Sequence, residues 1–379
     1  MRKLFTILIS LLSVSCNISK TNIDNQSIVL SDKDMPQVVP LKLEKINLNE
    51  DFLIRSSCYM YHDSILIVLK EGEPYPLTHM VTLINMNRGN KIGEYFTYGQ
   101  GPNEFMSSLG YLGGNCLDIR CYVTNKFISF NIDSALIKGK NYNATIVNPE
   151  ETIFLDCRTI NDTTLLATNM FFFDKCADFN ANAEIPEFFT INSNGRILPN
   201  TQSINFEKLK CLPANVTGCE ISVNTNKQRI VCCYHYQPYI KVFDLNMNQI
   251  RQINGPEPDD GKYKLEDDNY MLFFDGGVNH YYLQAFNDDE NIFVLNNRTH
   301  NWTRDYVGEM YSRKENLTTE IFRLDWEGNV IGRYSAKGYN LLYVTYSNTS
   351  NTLYIWLNDN GEKALYKAKL SFPPHVTQN

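Results

Sequence analysis

The sequence predicts an all-β fold: a six-bladed β-propeller of four-stranded antiparallel blades, with an N-terminal strand closing the last blade. Three observations carry that reading. Strand–turn–strand units recur along the chain, each with alternating apolar residues on either side of a turn rich in Asn, Asp and Gly. Tyr and Phe number 23 and 21 of 379 residues, and aromatic and β-branched enrichment favours strands. No long stretch carries the 3.6-residue apolar period of an amphipathic helix.

The N-terminus comes first. Arg2 and Lys3 supply a positive segment, and Leu4 to Val14 is apolar apart from Thr6, Ser10 and Ser13. A spanning helix needs roughly 20 apolar residues, so residues 1–15 read as a signal peptide that is removed. Leu12-Ser13-Val14-Ser15-Cys16 resembles a bacterial lipobox, with Ser13 departing from the usual Leu-type residue. On this reading Cys16 becomes an acylated first residue, and several chains anchor firmly, because each buried CH2 contributes about 0.8 kcal/mol. Residues 16–37 are rich in Asn, Ser, Lys and Asp and suit a lipidated flexible tether. The propeller is expected over 38–372 and a short tail over 373–379.

Six strand pairs follow. They are 64–70 with 80–86; 121–124 with 127–132; 164–170 with 188–192; 229–234 with 239–245; 291–295 with 320–325; and 352–357 with 364–370. Turns such as Asn194-Gly195, Glu327-Gly328 and Asp359-Asn360-Gly361 accept the backbone angles that tight hairpins demand. Long insertions fall at 174–187 and 298–319. Units of this size and spacing imply radial packing, which hides sheet edges. The final unit is one strand short, and Val38 to Leu48, with its alternating apolar residues, is the candidate to complete it.

One loop stands out: Gly99-Gln100-Gly101-Pro102-Asn103-Glu104-Phe105. Gly99 and Gly101 permit backbone conformations closed to other residues, and Pro102 stiffens the exit. Glu104 can accept backbone N–H groups, and Phe105 can drop between blades. With the lipobox and the hairpins, this loop resembles the six-bladed β-propeller lipoproteins of Bacteroidota, a TolB-like and NHL-like group whose habit is Gly-x-Gly-Pro-x-Glu-Phe after an early blade. Asn254-Gly255-Pro256-Glu257-Pro258 looks like a decayed second copy. The resemblance covers residues 38–370 and implies a fold and an envelope location, with the loop as a structural inter-blade connector.

Chemistry is sparse. The net charge is −7 with no basic patch, which argues against nucleic acid as a partner. The six His residues show no metal-ligand spacing, and neither a serine-hydrolase elbow nor a calcium-loop pattern occurs. No catalytic residue, metal ligand or cofactor is therefore assigned. His235 lies at a strand end where it can line a channel or simply be a satisfied structural His, and Trp302 and Trp326 are aromatic contact candidates. Nine cysteines remain after Cys16. Cys116 with Cys121 and Cys211 with Cys219 are the nearest local pairs, buried free thiols are the alternative, and Cys232 and Cys233 should face opposite sides of a strand. The leading expectation is a non-catalytic, outer-membrane-anchored envelope lipoprotein, on the periplasmic or cell-surface face, that binds a protein, peptide or glycan and touches the membrane only through its lipid. The alternative is a propeller-type lyase or hydrolase with a carboxylate or calcium site in its central channel.

Overall fold

A computed structural model describes residues 26–48, 56–70, 79–106, 108–121, 123–149, 157–161, 163–168, 184–199, 203–205, 218–235, 237–256, 263–265, 272–274, 281–297, 319–336, 338–359 and 362–371. The signal peptide, Cys16, Trp302 and the 298–318 insertion lie outside these residues. The architecture is an all-β propeller. Antiparallel meanders start on inner strands that gather around one axis and step outward from there. Ser56–Tyr61, Ile65–Lys70, His79–Asn85 and Asn90–Tyr98 form one such meander. Its two inner strands are buried along their whole length, and the second carries an unbroken apolar run from Ile65 to Leu69.

The expectation of six four-stranded antiparallel blades is corrected by the hydrogen-bonded sheets. The described strands form seven sheets, of five, nine, four, two, two, four and five strands. Among the described residues only two sheets have four strands. One is Cys157–Asn161, Thr164–Thr168, Phe188–Asn192 and Ile197–Pro199; the other is Asn340–Ser347, Thr352–Asp359, Glu362–Lys369 and Glu44–Ile46. The nine-stranded sheet arises because Asn287 pairs in parallel with Gly113, joining the Ser108–Val147 meander to the Tyr282–Ser335 meander. Further parallel partners are Gln26–Val29 on Gln249–Asn254, Val38–Pro40 on Val330–Ser335, and Glu104–Phe105 on Tyr98 and its neighbour Thr97. The cause is physical. A hairpin turn reports only partners adjacent in sequence, whereas a parallel strand arrives from elsewhere and leaves no turn to read.

The N-terminal segment is the main source of these additions. Gln26–Val29, in the stretch read as tether, lies along the outer edge of Gln249–Asn254, and Leu30 N donates to Asn254 O at 2.7 Å. Met35 is buried among Val231, Cys233, Ile240, Val242 and Ile253. Asp32 pairs with Arg333 at 3.2 Å. Val38–Pro40 then edges a second meander, and Glu44–Ile46 runs antiparallel to Glu362–Lys369 in a third. Three outer edges are thus covered in succession by one strap, which removes unpaired strand groups that would otherwise template aggregation.

Register fixes two faces. Ser56 opposes Lys70, Cys219 opposes Tyr234, and Tyr282 opposes Asn296, so the inner strands all begin on one face, here the loop face. Third strands turn into fourth strands on the opposite, turn face. Asp244–Asn248 and Asp325–Asn329 share one design there. Each Asp Oδ1 accepts from the N–H groups two and four residues on, and each Oδ2 accepts from the Asn amide. Asn192 does the backbone part of this over Asn194 and Arg196. The Asn/Asp/Gly turn signals of the sequence are these side-chain-capped hairpins.

Packing between meanders is aromatic and aliphatic. Tyr95, Phe96, Phe105, Phe130 and Tyr142 contact one another edge to face or tilted, with centroids 4.9–5.5 Å apart. Cys232 packs with Ile221 and Phe243, while Cys233 packs with Val231 and Ile240, so adjacent thiols enter separate cores on the two faces of one strand. Deletion of residues 38–48 should abolish soluble folding, because it uncovers the edges of Val330–Ser335 and Glu362–Lys369 together. Soluble yield and thermal melting by circular dichroism check this; a soluble deletion protein with unchanged melting refutes it.

Candidate functional site

The inner strands bring together a polar centre that the sequence did not announce. Arg158 is on Cys157–Asn161, Glu220 and Ser222 on Cys219–Asn224, Tyr111 on Ser108–Gly113, and Gln284 and Asn287 on Tyr282–Asn287. His235 follows the strand Arg229–Tyr234, and its carbonyl accepts from Tyr281 N at 2.7 Å. Alternation along the strand Cys219–Asn224 sends Cys219 and Ile221 into a hydrophobic core and leaves Glu220 and Ser222 facing the axis groups.

Arg158 organises the centre. Its Nε donates to Ile221 O at 3.1 Å, Nη1 donates to Cys157 O at 2.8 Å, and Nη2 lies 3.7 Å from Glu220 Oε2. The guanidinium carbon stands 3.7 Å from the centre of the Tyr111 ring, a stacked cation–π geometry. Glu220 Oε2 also accepts from Ala285 N at 3.4 Å, and its Oε1 lies 3.6 Å from His235 Nε2. His235 Nδ1 lies 2.6 Å from Tyr282 O. A carbonyl thus faces one ring nitrogen and a carboxylate the other. Tyr111 OH bonds Asn287 Oδ1 and reaches Ser222 Oγ at 3.5 Å. Gln284 Oε1 accepts from Val344 N at 2.8 Å, tying in the inner strand Asn340–Ser347. Both oxygens of Glu220 face donors, so its partly buried carboxyl group is held between Arg158, His235 and Ala285 N. The Glu220 side chain keeps 17% exposure, against 7% for Arg158 and 10% for His235.

The Gly99–Phe105 loop lies on the loop face, away from this centre in sequence and in its contacts. Glu104 folds back on it: Oε2 accepts from Gly101 N at 2.8 Å and Oε1 from Thr97 Oγ1 at 3.3 Å. A Cβ on Gly99 would stand 2.2 Å from Glu104 Oε2, and one on Gly101 2.9 Å from it, so a side chain at either position would displace the Glu104 carboxyl from its seat. Pro102 is exposed at the tip, while Phe105 is fully buried against Phe96. Lys126 Nζ, from the following meander, donates to Gly101 O at 2.5 Å and Glu104 O at 2.8 Å. Lys126 carried no signal in the sequence, because its partners are backbone carbonyls some 25 residues away.

Other candidates fall elsewhere. Trp326 is buried in the core beside Val242 and Ile253 rather than displayed for contact. His280 lies outside the described residues, as do the acidic residues Glu257–Asp260 and Glu266–Asp268. In Asp288-Asp289-Glu290, Asp288 caps its own turn by accepting from Glu290 N and Asn291 N at 2.8 and 2.6 Å, and Glu290 pairs with Lys227 at 2.7 Å. Among the described residues no group of three or more His, Cys, Asp or Glu side chains is placed to hold a metal ion. Cys116 and Cys121 occupy opposite ends of one strand, so the suggested disulfide between them is corrected: both are free thiols, as are Cys232 and Cys233. Cys211 lies outside the described residues.

No protein-family model matches the chain, and no curated protein matches it in sequence. The fold is similar to that of two solved structures. One is a member of the DUF4221 family from Bacteroides vulgatus, with a TM-score of 0.56 and 12% identity, covering 88% of this chain and 97% of that one. The other is a protein of Bacteroides fragilis described as exported, with a TM-score of 0.51 and 12% identity, covering 91% of this chain and 99% of that one. At such identity the likeness is one of fold.

Two predictions follow from the centre and the thiols. Glu220→Gln or Arg158→Met alone should each cost about 3–5 kcal/mol, the range for breaking one side of a buried ion pair. The double substitution should cost less than the sum of the two, read as a coupling in urea denaturation of all four proteins. Burial pushes the Cys116 thiol up to about 11, helped by the Asp118 charge, and pushes Cys121 and Tyr346 up to about 12. The unfolded chain ionises first, at 9.0 for Cys and 10.0 for Tyr, so it holds fewer protons than the native state in alkali. This contribution is intact below pH 9 and is lost as pH climbs toward 12, so melting temperature should drop across that window. Alkylation of Cys116 and Cys121 in the native protein at pH 8.5 should be slow beside the urea-unfolded chain.

Proposed function

We propose that the protein is an exported envelope lipoprotein, held in the outer membrane by a lipid on Cys16, whose propeller is a non-catalytic binding or scaffold module for a protein, peptide or glycan. The carrying observation is the state of the axis. Arg158, Glu220, His235 and Tyr111 are spent on one another and on backbone carbonyls, so the centre stiffens the ring rather than presenting a reactive group. Recognition then falls to the loop face, where the chain leaves and re-enters the strands. The description of the Bacteroides fragilis neighbour as exported supports export, and the apolar run before Cys16 agrees with it. No helix among the described residues is long and apolar enough to cross a membrane.

A second reading has one observation in its favour: Arg, Glu, His and Tyr from separate strands converge at the axis, as a lyase or hydrolase requires. One experiment separates the two. Native protein is captured from its own envelope alongside a Glu220→Gln variant, and co-purifying proteins and glycans are identified. The binding reading expects both to retain the same partners. Turnover of a defined glycan that disappears in Glu220→Gln, with no partner retained by either protein, would establish the enzyme instead. Palmitate labelling of wild type but not of Cys16→Ala is the expected result for the anchor.

A further inference from the structure

The strap holds its three edges unequally. Around Val38–Pro40 and Glu44–Ile46, the side chains of Val39, Leu41, Leu43 and Ile46 pack against hydrophobic cores. Gln26–Val29 has less to grip with. Ser27 is exposed, Ile28 is half-buried, and Val29 is 76% exposed. Only Leu30, just beyond the strand, packs against a core. The same edge position is closed differently in the Ser56–Tyr98 meander. There Phe105 runs parallel to Asn90–Tyr98, opposite Tyr98, the residue before Gly99, and is fully buried. Val29 runs parallel to Gln249–Asn254, opposite Asn254, the residue before Gly255. One edge is thus shut by its own loop and a buried ring, the other by a remote strand held mostly through its backbone.

The seat is nevertheless shaped for a particular strand. Leu30 N donates to Asn254 O at 2.7 Å, Asn254 Nδ2 donates to Ser27 Oγ at 2.8 Å, and a Cβ on Gly255 would stand 2.5 Å from Leu30 O. It therefore reads a hydroxyl side chain and, three residues on, an apolar residue other than proline. The chain turns at 31–34, where Asp34 N donates to Ser31 O at 3.0 Å. The Asp32–Arg333 ion pair at 3.2 Å and the buried Met35 hold the strap from there onward. We infer that Gln26–Val29 is an autoinhibitory strand. It occupies a site on the outer edge of Gln249–Asn254 that takes an extended, parallel peptide segment of a partner protein, with Ser or Thr at the Ser27 position and a Leu-type residue at the Leu30 position. Displacement exchanges like for like, since the incoming backbone remakes the bonds that the strap gives up. Asp32 and Met35 meanwhile keep the other edges covered. The site lies on the rim, apart from recognition at the loop face, and does not depend on a lipid at Cys16.

The test uses the full-length protein purified from its own membrane. Hydrogen exchange in the wild type should label residues 26–31 on the order of 100-fold faster than residues 38–46, as a strand that opens by itself requires. Equal protection of the two segments overturns the inference. The binding probe is a fluorescein-labelled peptide, Gln-Ser-Ile-Val-Leu-Ser, that copies residues 26–31. A Leu30→Pro variant loses the N–H bonded to Asn254 O, which frees the edge. By fluorescence anisotropy it should bind the peptide about tenfold more tightly than the wild type, whose own strand competes. Ser27→Ala within the peptide should weaken binding about fivefold, the loss of one hydrogen bond. No binding to a Leu30→Pro protein that melts as the wild type does, or equal binding of a scrambled peptide, overturns the inference. A deletion of residues 26–30 is the second variant, with the same expectations. Failure of both variants to fold would make the strand indispensable to the ring and overturns its role as a displaceable cover.

Discussion

Every sheet in this molecule has an outer edge, and the way those edges are covered shapes the whole. An uncovered edge presents alternating N–H and C=O groups to any other strand in solution. Here the answer is supplied largely by one stretch of chain. Residues 26–46 lie successively on Gln249–Asn254, Val330–Ser335 and Glu362–Lys369 before the first inner strand begins. The Glu104–Phe105 pair does the same for Asn90–Tyr98. Because the strap joins meanders far apart in sequence, the order of folding is constrained: its seats do not exist until the C-terminal half has formed.

Inside the ring the governing feature is the sorting of side chains by strand alternation. Cys232 and Cys233 show it at its simplest, two identical neighbours in two different cores. The same alternation on Cys219–Asn224 puts apolar groups into one core and delivers Glu220 and Ser222 to Arg158 and Tyr111. The polar centre is thus the axial counterpart of the apolar packing between meanders. Burial of Arg158 is tolerable because carbonyls, a carboxylate and an aromatic face all meet one guanidinium.

Much of the fold was legible because its signals are local. Alternating apolar residues marked strands, and Glu327-Gly328 marked a turn whose Asp325 cap the structure adds. The sheet count went astray where partners are remote: the parallel additions and the Asn287–Gly113 bridge have no turn between them to read. The stretch 26–35 looked like tether because it is polar, yet backbone pairing and two side chains, Asp32 and Met35, fix it. The centre was less legible still. His235 stood out only as a histidine at a strand end, and Arg158, Glu220 and Tyr111 are ordinary strand residues until three strands meet. Lys126 belongs to the same class, since its partners are carbonyls that every residue possesses.

The capped turn at Asp325–Asn329 has a consequence for how such a chain can change over generations. Its Gly328 is seated on the neighbouring sheet, where a Cβ would stand 2.6 Å from Ile253 Cδ1, and Arg251 clasps Glu327 O and Asn329 Oδ1 at 3.0 and 2.8 Å. A residue gained or lost there would unseat two meanders at once. The connections between strand ends on the opposite face run longer, as between Thr168 and Glu184 and between Asn297 and Thr319. One side of the molecule thus has turn lengths set by mutual contact, and the other has longer connections between its strands.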